Sequence, residues 1–125
     1  MPSTPARVLV VDDEPEVAAV LRDALVESGY AAEIAADGAQ ALERALTYRP
    51  DVVLLDLTMP EIPGDVVLGR LHEIDPTLPV IIVTGNTDDE RARATLARGA
   101  FDYVAKPFDF AILTRVVEAA VAYRG

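Results

Sequence analysis

Two stretches of this chain share one shape: Arg7-Val8-Leu9-Val10-Val11 stops at Asp12-Asp13, and Asp51-Val52-Val53-Leu54-Leu55 stops at Asp56. Each is a β-branched apolar run without polar alternation, the pattern of a strand buried on both faces. Another such run follows, Pro79-Val80-Ile81-Ile82-Val83 closed by Thr84-Gly85-Asn86, and a last strand, Phe101 to Ala105, stops at Lys106-Pro107. Strands of this kind need covering elements on both sides, and the segments between them carry apolar residues at helical spacing.

In chain order the expected elements are a strand β1 at Arg7–Val11 and a helix α1 from Glu14 to Ser28. The apolar face of α1 is Val17, Val20, Leu21, Ala24 and Leu25, and Gly29 is its stop signal. A weaker strand β2 spans Tyr30 to Ala35. Asp37-Gly38 then leads into α2 through Ala41, Leu42, Ala45 and Leu46, ended before Pro50. Strand β3 is Asp51–Asp56, and α3 runs from Gly64 to Ile74 with Val67, Leu71 and Ile74 on one face. Strand β4 is Pro79–Val83. Helix α4, Asp88 to Arg98, has Leu96 as its only large apolar residue, so slight packing and freedom to move are expected of it. Strand β5, Phe101 to Ala105, precedes an amphipathic α5 carrying Phe110, Leu113, Val116, Val117, Ala120 and Val121.

Strictly alternating strands and helices imply an α/β domain with a parallel sheet, because each parallel crossover requires a covering helix. In such open sheets ligands bind beyond the carboxyl ends of the strands, at the topological switch point. Asp12, Asp13, Asp56, Thr84, Tyr103 and Lys106-Pro107 lie at or near those ends.

Composition narrows what they can do. At 125 residues the chain fits one domain that buries roughly two thirds of its unfolded surface. No apolar run approaches the roughly 20 residues needed to cross a bilayer, and the first residues lack the pattern of a secretory signal, so a soluble cytoplasmic protein is expected. The absence of cysteine removes disulfides and thiolate chemistry, and with His72 as the only histidine, imidazole clusters and Ser-His-Asp relays are disfavoured. A formal charge of −10 argues against direct binding of nucleic acid or anionic membrane and favours basic partners or bound cations.

With β1 and β3 adjacent, Asp12, Asp13 and Asp56 would crowd together. Two carboxylates about 4 Å apart repel by about 4 kcal/mol at an effective dielectric of 20, so a proton or a cation must relieve them. Oxygen ligands without histidine or cysteine suit a hard ion such as Mg²⁺. Singly, Asp12-Asp13 reads equally well as a cap on α1, Asp56 as the opening of a loop, Thr84 as a turn residue and Lys106 as a surface lysine. Tyr103 alone reads as an ordinary strand aromatic. Together they describe a pocket for a divalent cation and a phosphoryl group, with a carboxylate as acceptor.

The ordered segments resemble the receiver domain of two-component response regulators. The likeness is carried by Val10-Val11-Asp12-Asp13-Glu14-Pro15, by Leu54-Leu55-Asp56-Leu57-Thr58-Met59-Pro60 with Gly64, by Ile82-Val83-Thr84-Gly85, and by Gly99 through Tyr103-Val104-Ala105-Lys106-Pro107-Phe108. It covers essentially the whole chain and implies a single receiver domain over residues 1–125 with a flavodoxin-like fold, sheet order 2-1-3-4-5.

It further implies that Asp56 accepts a phosphoryl group from a histidine kinase or histidine phosphotransfer protein, in a reaction the receiver itself promotes, with slow autodephosphorylation. Asp12, Asp13, Asp56 and the backbone carbonyl of Thr58 would hold Mg²⁺, with Mn²⁺ as a substitute. Lys106 would neutralise phosphate charge and the Lys106–Pro107 peptide would be cis. Thr84 and Tyr103 would switch the α4-β5-α5 face toward an effector or a second copy. Pro63 departs from the small polar residue common before α3, removing a side-chain cap. His72 reads as a solvated or packing histidine, and Arg91, Arg93 and Arg98 as a solvated face.

Three rivals are weaker. A flavin carrier would need a hydroxyl- and glycine-rich loop where Asp12-Asp13-Glu14-Pro15 stands. An aspartyl-phosphate hydrolase of the haloacid dehalogenase type would need an acid where Thr58 stands. A receiver-like module binding partners without phosphorylation has no need of the retained acids, Thr84 and Lys106.

Overall fold

The structure is a computed structural model and describes residues 4–59, 61–85, 89–107 and 109–124. Pro60, Asn86, Asp88 and Phe108, which figured in the sequence reading, lie outside them. The elements are β1 Arg7–Val11, α1 Pro15–Glu27, β2 Ala31–Ala35, α2 Gly38–Thr47, β3 Val52–Asp56, α3 Gly64–Ile74, β4 Val80–Thr84, α4 Asp89–Ala97, β5 Asp102–Ala105 and α5 Phe110–Arg124. All pairings are parallel, in the order β2-β1-β3-β4-β5. This is the flavodoxin-like arrangement expected from the sequence.

Alternation along each buried strand divides the core in two. Leu9, Val11, Val53, Leu55, Val80 and Ile82 meet α2, α3 and α4 on one face. Val8, Val10, Val52, Leu54, Ile81, Val83 and Val104 meet α1 and α5 on the other. Local signals set the ends of the helices. Pro15 occupies the first turn of α1, where its missing N–H costs nothing, and Gly29 follows at φ +99, a left-handed conformation suited to glycine. Asp37 caps α2 by accepting from the Gln40 amide at 2.8 Å. At α3 the N-cap is Pro63, without a side-chain cap; its carbonyl accepts from the Val66 and Val67 amides at 3.0 and 3.1 Å.

The helices bury smaller residues than their periodicity suggests. Val20, Leu46, Ile74 and Phe110, expected on apolar faces, are substantially exposed, whereas Ala18, Ala41, Ala92 and Ala120 are fully covered. Alanine has no bulk beyond Cβ, so a helix that docks through it can approach the sheet closely. In α4 the large apolar Leu96 points outward and the helix seats itself on Ala92 and Thr95, the latter's hydroxyl donating back to the Ala92 carbonyl.

Arg91 and Arg98 are exposed, as expected of a solvated face, and each also makes a contact: Arg91 Nη2 donates to the Leu57 carbonyl at 3.2 Å and Arg98 Nη1 pairs with Asp65 at 3.0 Å. Sequence spacing could not reveal either contact, since both join helix α4 to a loop or helix more than thirty residues away. Arg93 remains exposed. His72 is a packing residue, half-buried, with Nε2 2.9 Å from the Leu78 carbonyl and its ring against Gly99.

Candidate functional site

The register of four strands brings the candidate residues to one end of the sheet. Val11 pairs with both Ala35 and Leu55, so the next residue of each strand, Asp12 and Asp56, emerges side by side at the switch point between β1 and β3. Asp56 pairs with Val83, and Thr84 pairs with Ala105, which places Lys106 just beyond β5 at the same end of the sheet. The Lys106 amide donates to the Thr84 carbonyl at 2.7 Å, and the Lys106–Pro107 peptide is cis.

Asp12 and Asp56, 2 % and 1 % exposed, are arranged alike. Each uses Oδ1 to accept the amide two residues on, Glu14 for Asp12 and Thr58 for Asp56, both at 2.9 Å. Such Asx turns fix a carboxylate by its own loop. The Thr58 hydroxyl adds a second donor to Asp56 Oδ1 at 2.8 Å. The Oδ2 atoms face Lys106 Nζ, at 3.5 Å from Asp12 and 3.3 Å from Asp56, and Glu14 Oε1 lies 3.6 Å from the same ammonium. The expectation that Asp12-Asp13 might cap α1 is met only indirectly, since the N-cap is Glu14 and makes no side-chain cap bond.

Electrostatically the pocket is short of positive charge. Burial raises the Asp12 pKa above its ordinary 3.8; the Glu14 amide opposes this, and the neighbouring Asp56 adds to it. Burial also works against the Lys106 ammonium, but Asp56 and Asp12, with the hydrogen bond to Asp56 and the charge of Glu14, outweigh it and hold its pKa above 10.5.

The donor set fits a hard divalent cation. One carboxylate oxygen from each of Asp12, Asp13 and Asp56 lies within 4.8 Å of the others. Asp12 Oδ2 is buried with no hydrogen bond among the described residues and has only the 3.5 Å ion pair with Lys106, which leaves it capacity for a further partner. The acidic cluster could therefore hold a metal ion through oxygen ligands alone.

The remaining candidates bond or pack elsewhere. Thr84 is fully buried, and its hydroxyl donates to the Gly85 carbonyl at 3.2 Å. Tyr103, paired in register with Ile82, is half-buried against the α2-α3-α4 layer of the core. Pro107 borders a mostly apolar cleft of about 340 Å³ shared with Glu16, Val17, Val20, Leu21 and Lys106. Two contributions escaped the sequence reading: the Thr58 hydroxyl on Asp56, which an Asp-x-Thr turn signals, and Arg91 on Leu57, for which no local signal exists.

A sheet of this order with paired acids and a lysine at its carboxyl edge defines a flavodoxin-like α/β domain with an acidic site at the strand ends, and comparison with known proteins identifies the group. The chain belongs to the response regulator receiver domain family, whose pattern it matches over residues 8–118. Members of this class are generally not conventional enzymes. It is 40% identical over 122 residues to the transcriptional regulatory protein PrrA of Mycobacterium tuberculosis, covering 98% of this chain and 52% of that protein. To the DNA-binding transcriptional regulator NtrC of Escherichia coli it is 38% identical over 116 residues, 93% of this chain and 25% of that one. The chain thus spans about half or less of the length of these relatives. Among solved structures, a response regulator receiver domain protein from Clostridium thermocellum superposes with a TM-score of 0.90 at 29% identity, covering 94% of each chain. A putative response regulator from Chloroflexus aurantiacus gives 0.90 at 33% identity, covering 95% of this chain and 99% of that one. Among the described residues no helix is long and apolar enough to cross a membrane.

Proposed function

We propose that residues 1–125 act as one cytoplasmic receiver domain in which Asp56 accepts a phosphoryl group from the phosphohistidine of a sensor kinase or histidine phosphotransfer protein. The observation that carries this reading is the pairing of buried Asp12 and Asp56 across one ammonium, with Asp12 Oδ2 left without a hydrogen bond among the described residues. A carboxylate oxygen of Asp56 bonds to phosphorus as the bond from phosphorus to the donor breaks. The electron pair of that bond leaves on the imidazole nitrogen of phosphohistidine, or on the carboxylate of a small acyl phosphate.

Each neighbouring residue has a part in that transfer. Thr58, through its amide and hydroxyl, holds the Asp56 carboxylate in a fixed plane for in-line attack. Lys106 neutralises the non-bridging oxygens that arrive beside Asp56. Asp12, Asp13, Asp56 and the Thr58 backbone carbonyl are the ligands for Mg²⁺ or Mn²⁺, which when bound supplies the further charge neutralisation that phosphoryl transfer requires. Thr84 exchanges its Gly85 partner for a phosphoryl oxygen, Tyr103 moves deeper into the space vacated, and the α4-β5-α5 face changes toward an effector or a second copy. With its strong negative charge the domain does not itself bind nucleic acid.

The test is incubation with a small acyl phosphate and Mg²⁺ followed by intact-mass measurement. A single phosphoryl increment is expected on the wild type and none on Asp56→Asn. The same increment on Asp56→Asn would remove Asp56 from the role of acceptor.

A further inference from the structure

One peptide unit lies between a guanidinium and the proposed acceptor. The Leu57–Thr58 peptide offers its carbonyl to Arg91 Nη2 of α4 at 3.2 Å and its N–H to Asp56 Oδ1 at 2.9 Å. Hydrogen bonds linked through one amide polarise each other, so a positive charge on the carbonyl side strengthens the donor on the other side. The guanidinium is rigid and cannot lose its proton, which makes it a fixed rather than a titrating support. Leu57 itself is buried at 1 % exposure, and its amide donates to Val83 at 3.1 Å. The preceding Asp56–Leu57 peptide is thus pinned on the sheet side, while Arg91 reaches the Leu57 carbonyl from the helix side.

We propose that Arg91 is a positioning residue for Asp56, acting through the Leu57–Thr58 peptide, and that this contact ties the seat of α4 to the alignment of the phosphoacceptor. The inference rests on the reading of Asp56 given above. It describes a route separate from Thr84 and Tyr103, because it enters through the β3–α3 loop. Among the described residues α4 buries the small Ala92 and Thr95, and just past its end the exposed Arg98–Asp65 pair at 3.0 Å joins the same segment to the start of α3. Coupling of this kind runs both ways: displacement of α4 loosens Asp56, and rearrangement of the loop around Asp56 shifts α4.

Arg91→Met keeps the length of the side chain and removes its donors, Arg91→Lys restores charge and one donor, and Arg93→Met removes an exposed charge from the same helix. At saturating acyl phosphate and Mg²⁺, where attraction of the anionic donor no longer limits the rate, Arg91→Met should be phosphorylated about fivefold more slowly, the loss expected for one weakened charge-assisted link. Arg91→Lys should recover most of the rate, and Arg93→Met should match the wild type. In the metal-free protein the Thr58 amide proton resonance should move toward weaker hydrogen bonding in Arg91→Met and return in Arg91→Lys.

A wild-type rate in Arg91→Met, equal slowing in Arg93→Met, or a Thr58 resonance indifferent to Arg91 would each overturn the proposal. Should the wild type gain no phosphoryl group while the Thr58 resonance follows Arg91, the positioning contact is upheld and the acceptor role of Asp56 is what fails.

Discussion

Helices α3 and α4 cover the same face of the sheet, yet they are held in different ways. Helix α3 sets Val67, Leu68 and Leu71 into the core at full burial, and Gly64 at its start lies so close to Leu57 that an added Cβ would sit 2.7 Å from the leucine side chain and 3.1 Å from its Cα. Helix α4 offers Ala92 and Thr95, leaves Leu96 38 % exposed, and reaches its neighbours through Arg91 and Arg98. Burying a leucine stabilises by about 1.5–3 kcal/mol, so α3 is anchored by non-directional packing and α4 by directional bonds. An element held in the second way can take a new position by exchanging partners, without opening the core.

The sharpest way to break that contrast is truncation on each helix. Leu71→Ala should cost about 2–5 kcal/mol in denaturant unfolding, whereas Leu96→Ala should stay within about 0.5 kcal/mol; equal costs would put α4 in the core after all. Next in size, Gly64→Ala should lose about 1–3 kcal/mol because the Leu57 backbone cannot withdraw from the new methyl group, and an unchanged midpoint would show that the start of α3 is looser than its contacts indicate.

A third test asks whether charge repulsion at the acidic site reaches α4. The Asp12 pKa is raised in the fold, so its ionised form is disfavoured there. The resulting cost is absent below the ordinary 3.8, where the group is protonated in both states, and grows as pH rises through the folded value. Asp12→Asn should therefore stabilise the metal-free protein at pH 7, with the gain vanishing below pH 3.8, and should leave amide exchange in α4 unaltered. Slower exchange in α4 would show that the repulsion reaches the helix. Smallest of all, Arg98→Met should cost no more than about 0.5 kcal/mol, because the pair with Asp65 is largely in water.

These contrasts also mark what could be seen in the sequence. The strands were legible because Val8–Val11, Val52–Leu55 and Val80–Val83 are buried on both faces and so carry no polar alternation, and the acids, Thr84 and Lys106 were legible because each ends a strand or follows it within two residues. Helix faces were less so. Periodicity weighs Val20 and Leu46 above Ala18 and Ala92, yet at these positions the smaller side chain is covered and the larger one lies at the margin. Least visible were contacts set by tertiary approach alone, such as Arg91 to Leu57 and His72 to Leu78.

The depth of Asp56 has a consequence of access as well as chemistry. At 1 % exposure, as the last residue of a strand with neighbours on both sides, it can be reached only end-on, from beyond the edge of the sheet. A phosphate lying flush with a flat protein surface could not touch it. On the proposed reading, whatever delivers a phosphoryl group would have to arrive as a projection, so the shape of the opening would limit which donors enter before any bond to phosphorus is made.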